Sequence, residues 1–246
     1  MQLRQPKILT WDLEFKGTPN WKNELKIYPG YLLCFACKEL DKNKSLIITR
    51  RDFPGKDVND DKALTREILK VLRDVDMHIF HYGSKIDWKF IQTKALQYGF
   101  RPLPEPPVAI DTCTVARSKL AVVSNAMRSL ADFFGLQEKK KITHNQWNRA
   151  FALDKTILKL VEKRCLSDVE ITEQFFHKLK SVIHNHPALY TQGCGGCGSL
   201  DFHIEGIRST AKTQYRRRYC KDCGVPNFEV LKKERDKYSV HNPKAA

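Results

Sequence analysis

Nowhere in the 246 residues is there an apolar run longer than a strand; the longest are of the kind Tyr31–Ala36. A membrane-spanning helix needs about 20 consecutive apolar residues, so none is encoded. The segment Met1–Lys7 has no apolar signal region and leads directly into a strand-like run, so a cytoplasmic setting is expected, a host cytoplasm included. There is no internal repeat and no long low-complexity tract, which argues against a repeat array. Acidic residues are scarce: 28 Asp and Glu stand against 43 Lys and Arg, for a net charge of +15. That deficit points to a polyanionic partner, with nucleic acid the usual one and anionic membranes or solubility the alternatives.

Hydrophobic residues make up 41% of the chain and charged residues 29%, proportions that support a true core in a soluble protein. Lys7–Phe15, Tyr31–Leu40 and Ser45–Thr49 read as three strands, with Asp41–Lys44 as a turn. Asp60 or Asp61 can cap a helix in which Leu64, Ile68, Val71 and Leu72 recur at helical spacing. Met77–His81 is a short strand, Ile86–Tyr98 a helix ended by Gly99, and Val108–Ile110 a further strand after a proline-rich connector. Ser124 can cap a helix through Leu130 and Phe134 that Gly135 stops, and Asp154–Ile183 reads as one long helix or two. Strands followed by alternating units predict an α/β mixed sheet flanked by helices.

Three acidic features stand out. Asp12 and Glu14 alternate with Trp11, Leu13 and Phe15, which places both carboxylates on one face of the first strand. They are either metal ligands, hard oxygens suited to Mg2+ or Mn2+, or two ordinary surface acids. Asp87 opens a helix after a strand and a glycine turn, where a carboxylate also serves the helix dipole. Asp168 sits inside the late helix.

The eight cysteines fall into two groups. Cys34, Cys37, Cys113 and Cys165 are scattered, and Cys34 and Cys37, three apart on a strand, must face opposite sides and read as buried thiols. Cys194, Cys197, Cys220 and Cys223 form two Cys-x2-Cys knuckles among glycines, the pattern of a four-thiolate zinc site. Free thiols, disulfides and an iron–sulfur centre are the other readings. Between the knuckles, Leu200–Ile207 and Gln214–Tyr219 look like a hairpin. Alternation there puts Tyr215, Arg217 and Tyr219 on one face and Arg216 and Arg218 on the other, a surface able to stack bases and hold phosphates or simply a solvated charged hairpin.

In order and spacing, Asp12-x-Glu14, Asp87 and Asp168 resemble the DEDD-type 3'–5' exonucleases of the RNase H-like superfamily, nearest to those related to the exonuclease domain of family B DNA polymerases. Leu33–Ala36, Ala109–Thr112, Ser124–Ala126, Leu130–Leu136 and Asn185–Pro187 also fit, and the late cysteines match members with a C-terminal zinc ribbon. The resemblance implies an RNase H-like nuclease domain over 1–187, a zinc ribbon over 188–230 and a basic tail over 231–246. It implies that Asp12, Glu14, Asp87 and Asp168 hold two Mg2+ or Mn2+ ions for phosphodiester hydrolysis, and that one structural Zn2+ sits on the four late cysteines. The expected partner is nucleic acid, DNA with a free 3' end, and no membrane. Family members carry Tyr four residues before the last Asp or His five before it; here those positions hold Arg164 and Lys163. Where they carry Asn in the second motif, this chain has Tyr82. Tyr82 and Arg164 are accordingly expected on the nucleic acid, with Tyr215, Arg216, Arg217 and Arg218. His81 and His144 are further candidates for the missing group, although a structural hydrogen bond is the commoner role of such a His, and Asp111 reads as a cap or brace after its strand ahead of a metal ligand. An RNase H-like structure-specific endonuclease and a nucleic-acid-binding adaptor with a degenerate nuclease domain are the competing functions.

Overall fold

The protein is described by a computed structural model over residues 7–17, 30–53, 57, 59–104, 108–136, 141–183, 193–194, 199–210 and 213–233. The chain divides into two compact units, Met1–Leu179 and Lys180–Ala246.

In the first unit, β1 (Ile8–Lys16), β2 (Tyr31–Glu39), β3 (Ser45–Thr49), β4 (Met77–Phe80) and β5 (Val108–Asp111) form one sheet in the order β3-β2-β1-β4-β5. β1 pairs antiparallel with β2 and parallel with β4, so the sheet is mixed. The antiparallel pairs come from short connections along the chain, and the parallel pairs need the intervening helices as crossovers. Those crossovers are α1 (Lys62–Arg73) and α2 (Asp87–Gln97); α3 (Thr112–Lys119), α4 (Met127–Phe134), α5 (His144–Phe151) and α6 (Lys155–Leu179) follow the last strand of the sheet.

Both faces of the sheet are covered. Leu9, Trp11 and Leu13 of β1 pack with Leu64, Ile68 and Leu72 of α1 and Phe90 and Ile91 of α2. On the other face Leu33, Cys34 and Ala36 of β2 pack with Ile157, Val161, Cys165 and Val169 of α6. β2 is buried from Tyr31 to Cys37, as a strand covered on both sides must be, and this is why its sequence shows a continuous apolar run. Cys37 lies in the first layer and Cys34 in the second, the opposite facing that their spacing predicts.

The structure departs from the sequence reading in several places. Asp61 precedes α1, but its side chain does not cap it. It is buried, accepts from the Leu32 N–H at 2.7 Å and pairs with the Lys94 ammonium at 2.7 Å, while Asp60 Oδ1 takes the Lys62 N–H at 3.1 Å. Ser124 accepts from the Ala126 N–H and so shapes the turn ahead of α4 instead of capping it. The late helical segment is a single helix of 25 residues, α6, opened by the Asp154 carboxylate on the Thr156 and Ile157 N–H groups. α3 and α5 were not anticipated. Their start signals are nevertheless in the sequence: Asp111 caps α3, and Thr143 with Gln146 forms a reciprocal capping box on α5.

The second unit holds a three-stranded antiparallel sheet of β6 (Phe202–Ser209), β7 (Thr213–Cys220) and β8 (Pro226–Lys233), with β7 central. The expected hairpin is present and gains β8, which continues to Lys233 and takes in the first residues of the segment read as a tail. The segment 184–187, where the domain break was placed, lies outside the described residues. No helix among the described residues is long and apolar enough to cross a membrane.

Candidate functional site

Trp11 and Leu13 turn into the α1/α2 layer, so Asp12 and Glu14 are delivered to the opposite face, where α6 crosses β1. Cys165 Sγ of α6 lies 3.5 Å from both the carbonyl oxygen and Oδ2 of Asp12. Arg164 Nε donates to Glu14 Oε1 at 3.0 Å and lies 3.8 Å from Asp168 Oδ2 one helical turn on. Asp168 is only 1% exposed. One oxygen from each of Asp12, Glu14 and Asp168 falls within 4.8 Å of the others. Residues 150 positions apart in the chain thus meet at one point, which a strand and a crossing helix accomplish and sequence proximity does not.

Asp87 stands beside this group without sharing its tightest sphere. It opens α2 and is buried. Burial pushes its carboxyl up to about 7, the Glu14 and Asp111 carboxylates add to the rise, and the backbone N–H groups of Asp87 and Leu13 oppose it. Four carboxyls concentrated at the end of one strand repel one another at close range unless positive charge lies among them. Arg164 supplies one such charge, with its guanidinium stacked over Trp147 at 5.7 Å. The remaining oxygens make a hard, closely spaced donor set, buried at Asp168 and half-buried at Asp12 and Glu14, of the kind that fits Mg2+ or Mn2+.

The structure also brings in Cys165, which the sequence leaves among the scattered cysteines, and Cys34, which reads as a buried thiol. Cys34 faces Glu14 across the β1–β2 pair, and its thiol is hydrogen-bonded to that of Cys165. Burial, with Cys34 beside it, pushes the Cys165 thiol well above its ordinary range, so Cys165 keeps its S–H and can donate to Asp12. Its signal is positional: Cys165 precedes Asp168 by three on a helix and therefore shares its face.

The turn before Asp87 is held by Asp111, which accepts from the Tyr82 N–H at 2.8 Å and the Ser84 N–H at 3.1 Å. Asp111 therefore both caps α3 and braces the turn. Tyr82 is exposed at that turn. His81 is engaged by Thr112 Oγ1 at 2.9 Å and the Asn125 carbonyl at 3.1 Å, a structural role. His144 opens α5, and with Lys16, Asn148 and Phe151 it lines an open cleft of about 490 Å³ past the end of β1.

In the second unit Cys194, Cys220 and Cys223 bring their sulfurs within 4.8 Å of one another. Cys194 Sγ and Cys223 Sγ are 3.5 Å apart, well beyond the ~2.05 Å of a disulfide and close to the ~3.8 Å edge of a zinc–thiolate tetrahedron. Gly224, with φ +73, closes the second knuckle by donating its N–H to the Cys220 carbonyl at 2.9 Å. Asn227 Nδ2 donates to Cys194 Sγ at 3.4 Å, a bond suited to a thiolate. Cys197 lies outside the described residues. The three arginines of β7 are engaged within the sheet: Arg216 pairs with Glu229 at 3.1 Å, Arg217 with Glu205 at 2.9 Å, and Arg218 lies over the Phe202 ring at 3.8 Å. Tyr215 meets Phe228 edge-on, and Arg217 stacks on Tyr219 two residues away, the same-face relation expected from alternation. Compared with protein-family models and with curated proteins, the chain matches none.

Proposed function

We propose that the first unit is a metal-dependent 3'–5' exonuclease that hydrolyses phosphodiester bonds in DNA. The observation that carries this reading is the convergence of Asp12, Glu14 and Asp168 within 4.8 Å at the end of a central strand, with Asp87 alongside. Asp12, Glu14, Asp87 and Asp168 would hold two Mg2+ or Mn2+ ions, whose chemistry is to lower the pKa of an attacking water and to stabilise the leaving oxygen. The chain's own residues do the rest. α6 holds Asp168 nearly free of solvent, Cys165 orients Asp12, and Arg164 neutralises Glu14 and offers guanidinium N–H groups to a phosphate. The choice of a 3' end and of DNA rests on the resemblance of the acidic motifs to DEDD exonucleases. In the second unit we assign one structural Zn2+ to Cys194, Cys220, Cys223 and Cys197, making a zinc ribbon, with Tyr215, Arg216, Arg217 and Arg218 as strand contacts.

One observation favours a second reading. The Arg164 guanidinium already sits on Glu14 and near Asp168, and a fixed internal cation is also what a binding protein without nuclease activity would keep there. End-labelled oligonucleotides incubated with Mg2+ or Mn2+, and with chelator, decide between the readings. A ladder of mononucleotides released from the 3' end, abolished by chelator, supports the exonuclease. A discrete internal cut identifies an endonuclease, and metal-insensitive binding without cleavage the adaptor. Asp12→Ala, Asp87→Ala and Asp168→Ala are each expected to lower cleavage about a hundredfold or more while the protein stays folded. A folded Asp12→Ala protein with wild-type activity would overturn the assignment.

A further inference from the structure

Tyr82 has φ +64, a left-handed backbone that a bulky side chain rarely adopts. The neighbouring Gly83 does not relieve it. Gly83 is needed for space, since a Cβ there would stand 2.7 Å from Phe80 Cβ and Cγ. The strained position is instead occupied by an aromatic residue that stays outside the buried core, 38% exposed. Core packing therefore does not explain the choice of tyrosine, and glycine would fit the backbone better.

Asp111, itself only 7% exposed, enforces the conformation. Its Oδ1 accepts from the Tyr82 N–H at 2.8 Å and also from the Cys113 and Thr114 N–H groups that begin α3. Its Oδ2 accepts from the Ser84 N–H and, at 2.5 Å, from the Ser84 hydroxyl. One carboxylate thus locks the turn that leads into Asp87 to the start of α3. α3 then places Arg117, whose guanidinium lies 5.7 Å from the centre of the Tyr82 ring. Arg117 is exposed, and its Nη2 lies 3.8 Å from Cys113 Sγ. Lys85, in the same turn, is exposed too.

We propose that Tyr82 and Arg117 form a single contact for a nucleic-acid strand, a base on the tyrosine ring and a phosphate on the guanidinium, held in register with Asp87 by Asp111. Strained residues that the surrounding structure over-determines cluster at ligand sites, and a stacked aromatic–arginine pair is the recurrent platform for single strands. The net charge of +15 selects a polyanion as the occupant. The proposal rests on the nuclease reading of the neighbouring carboxylates.

The test is fluorescence anisotropy of the full-length protein with a labelled single-stranded oligodeoxynucleotide, across a salt series and in chelator so that no cleavage intervenes. Tyr82→Gly is expected to weaken binding about tenfold while the thermal midpoint holds or rises, because glycine accepts the left-handed backbone. Tyr82→Phe should bind as the wild type does. Arg117→Gln should weaken binding and lower the salt slope by roughly one. If Tyr82→Gly unfolds, Arg117→Gln decides alone. Wild-type binding by both variants, in a protein that cleaves DNA, overturns this contact and leaves the nuclease reading standing. A destabilised Tyr82→Gly with unaltered affinity makes the tyrosine structural and overturns the contact. A wild-type protein that binds no strand overturns both.

Discussion

Individual side chains in this protein often meet two demands at once, and His78 shows how. It lies in β4 with 2% exposure, and its Nδ1 accepts from Trp11 Nε1 at 3.0 Å, beside the strand that carries Asp12. Burial pulls its pKa down from 6.5 to about 4. The unfolded chain therefore takes up a proton near pH 6.5, whereas the native chain does so only near pH 4. Stability from this group is fully present above about 6.5 and falls as the pH drops through that window, by about 3 kcal/mol in total. His78→Gln keeps an acceptor for Trp11 but cannot titrate. Urea unfolding between pH 4 and 7 should show a shallower pH dependence in the variant, and identical slopes would remove His78 as the cause. The site carboxylates face a related conflict. Asp87 is buried beside Glu14 at the expense of its ionised form, an arrangement that stability alone does not favour.

At the scale of elements, one buried and one half-buried ion pair lock helices to the sheet. Lys94 of α2 and Asp61 before α1 are 1% and 0% exposed and 2.7 Å apart, and Lys94 also donates to the Gly30 carbonyl ahead of β2. Removing one partner leaves a charge in the core. Lys94→Met is expected to cost about 3–5 kcal/mol, and adding Asp61→Asn should recover part of the loss. Denaturant midpoints of the two single variants and the double variant test this, and additive losses would mean that the pair is not coupled. On the other face, Arg51 and Thr49 both bind Glu162 of α6, tying the end of β3 to the helix that supplies Asp168. α6 is thus fixed at Glu162 and at Cys165, on either side of Arg164. The geometry at Asp12 and Glu14 depends on that anchoring as well as on the four acids.

At the scale of the whole molecule, the acidic cluster and the cysteine cluster fall in different units, and the proposals for them give separable predictions. Metal analysis of washed protein should find about one zinc per chain on a four-thiolate site, with Cys220→Ser abolishing it. Zinc-free wild-type protein, or iron in its place, would overturn the zinc assignment. The sheet of the second unit is poor in buried apolar residues: Ile204, Ile207, Phe228 and Val230 are all more than half exposed. Its folding should therefore depend on the ion, and a strong chelator should unfold this unit alone. Replacing Arg216, Arg217 and Arg218 by Gln should flatten the salt dependence of strand binding. Glu229 and Glu205 already engage two of the three, so a fall in slope of about one is expected rather than about three. An unchanged slope with zinc retained would take the ribbon off the strand.

Local patterns in the sequence were enough for most element types, α3, α5 and β8 excepted, for the five strands of the first unit and for the facing of single strands. The alternation around Asp12 and Glu14, the opposite facing of Cys34 and Cys37, and the same-face relation of Arg217 and Tyr219 all follow from a period of two. Gly135, with φ +65, ends α4 where a glycine stop was read. Other features were legible but overlooked, such as the capping box at Thr143 and Gln146. Partners distant in the chain were not legible. Asp61 has the composition of a helix cap, yet the Lys94 ammonium draws it into the core. Arg164 is expected on the nucleic acid, and its contact with Glu14 could not be read from the sequence. Cys165 gains its place beside Asp12 only because α6 crosses β1 there. The motifs single out the candidate residues, because residue type and spacing are local properties. Which charge neutralises which, and how deeply each carboxyl is buried, is decided by packing between segments that the chain keeps far apart.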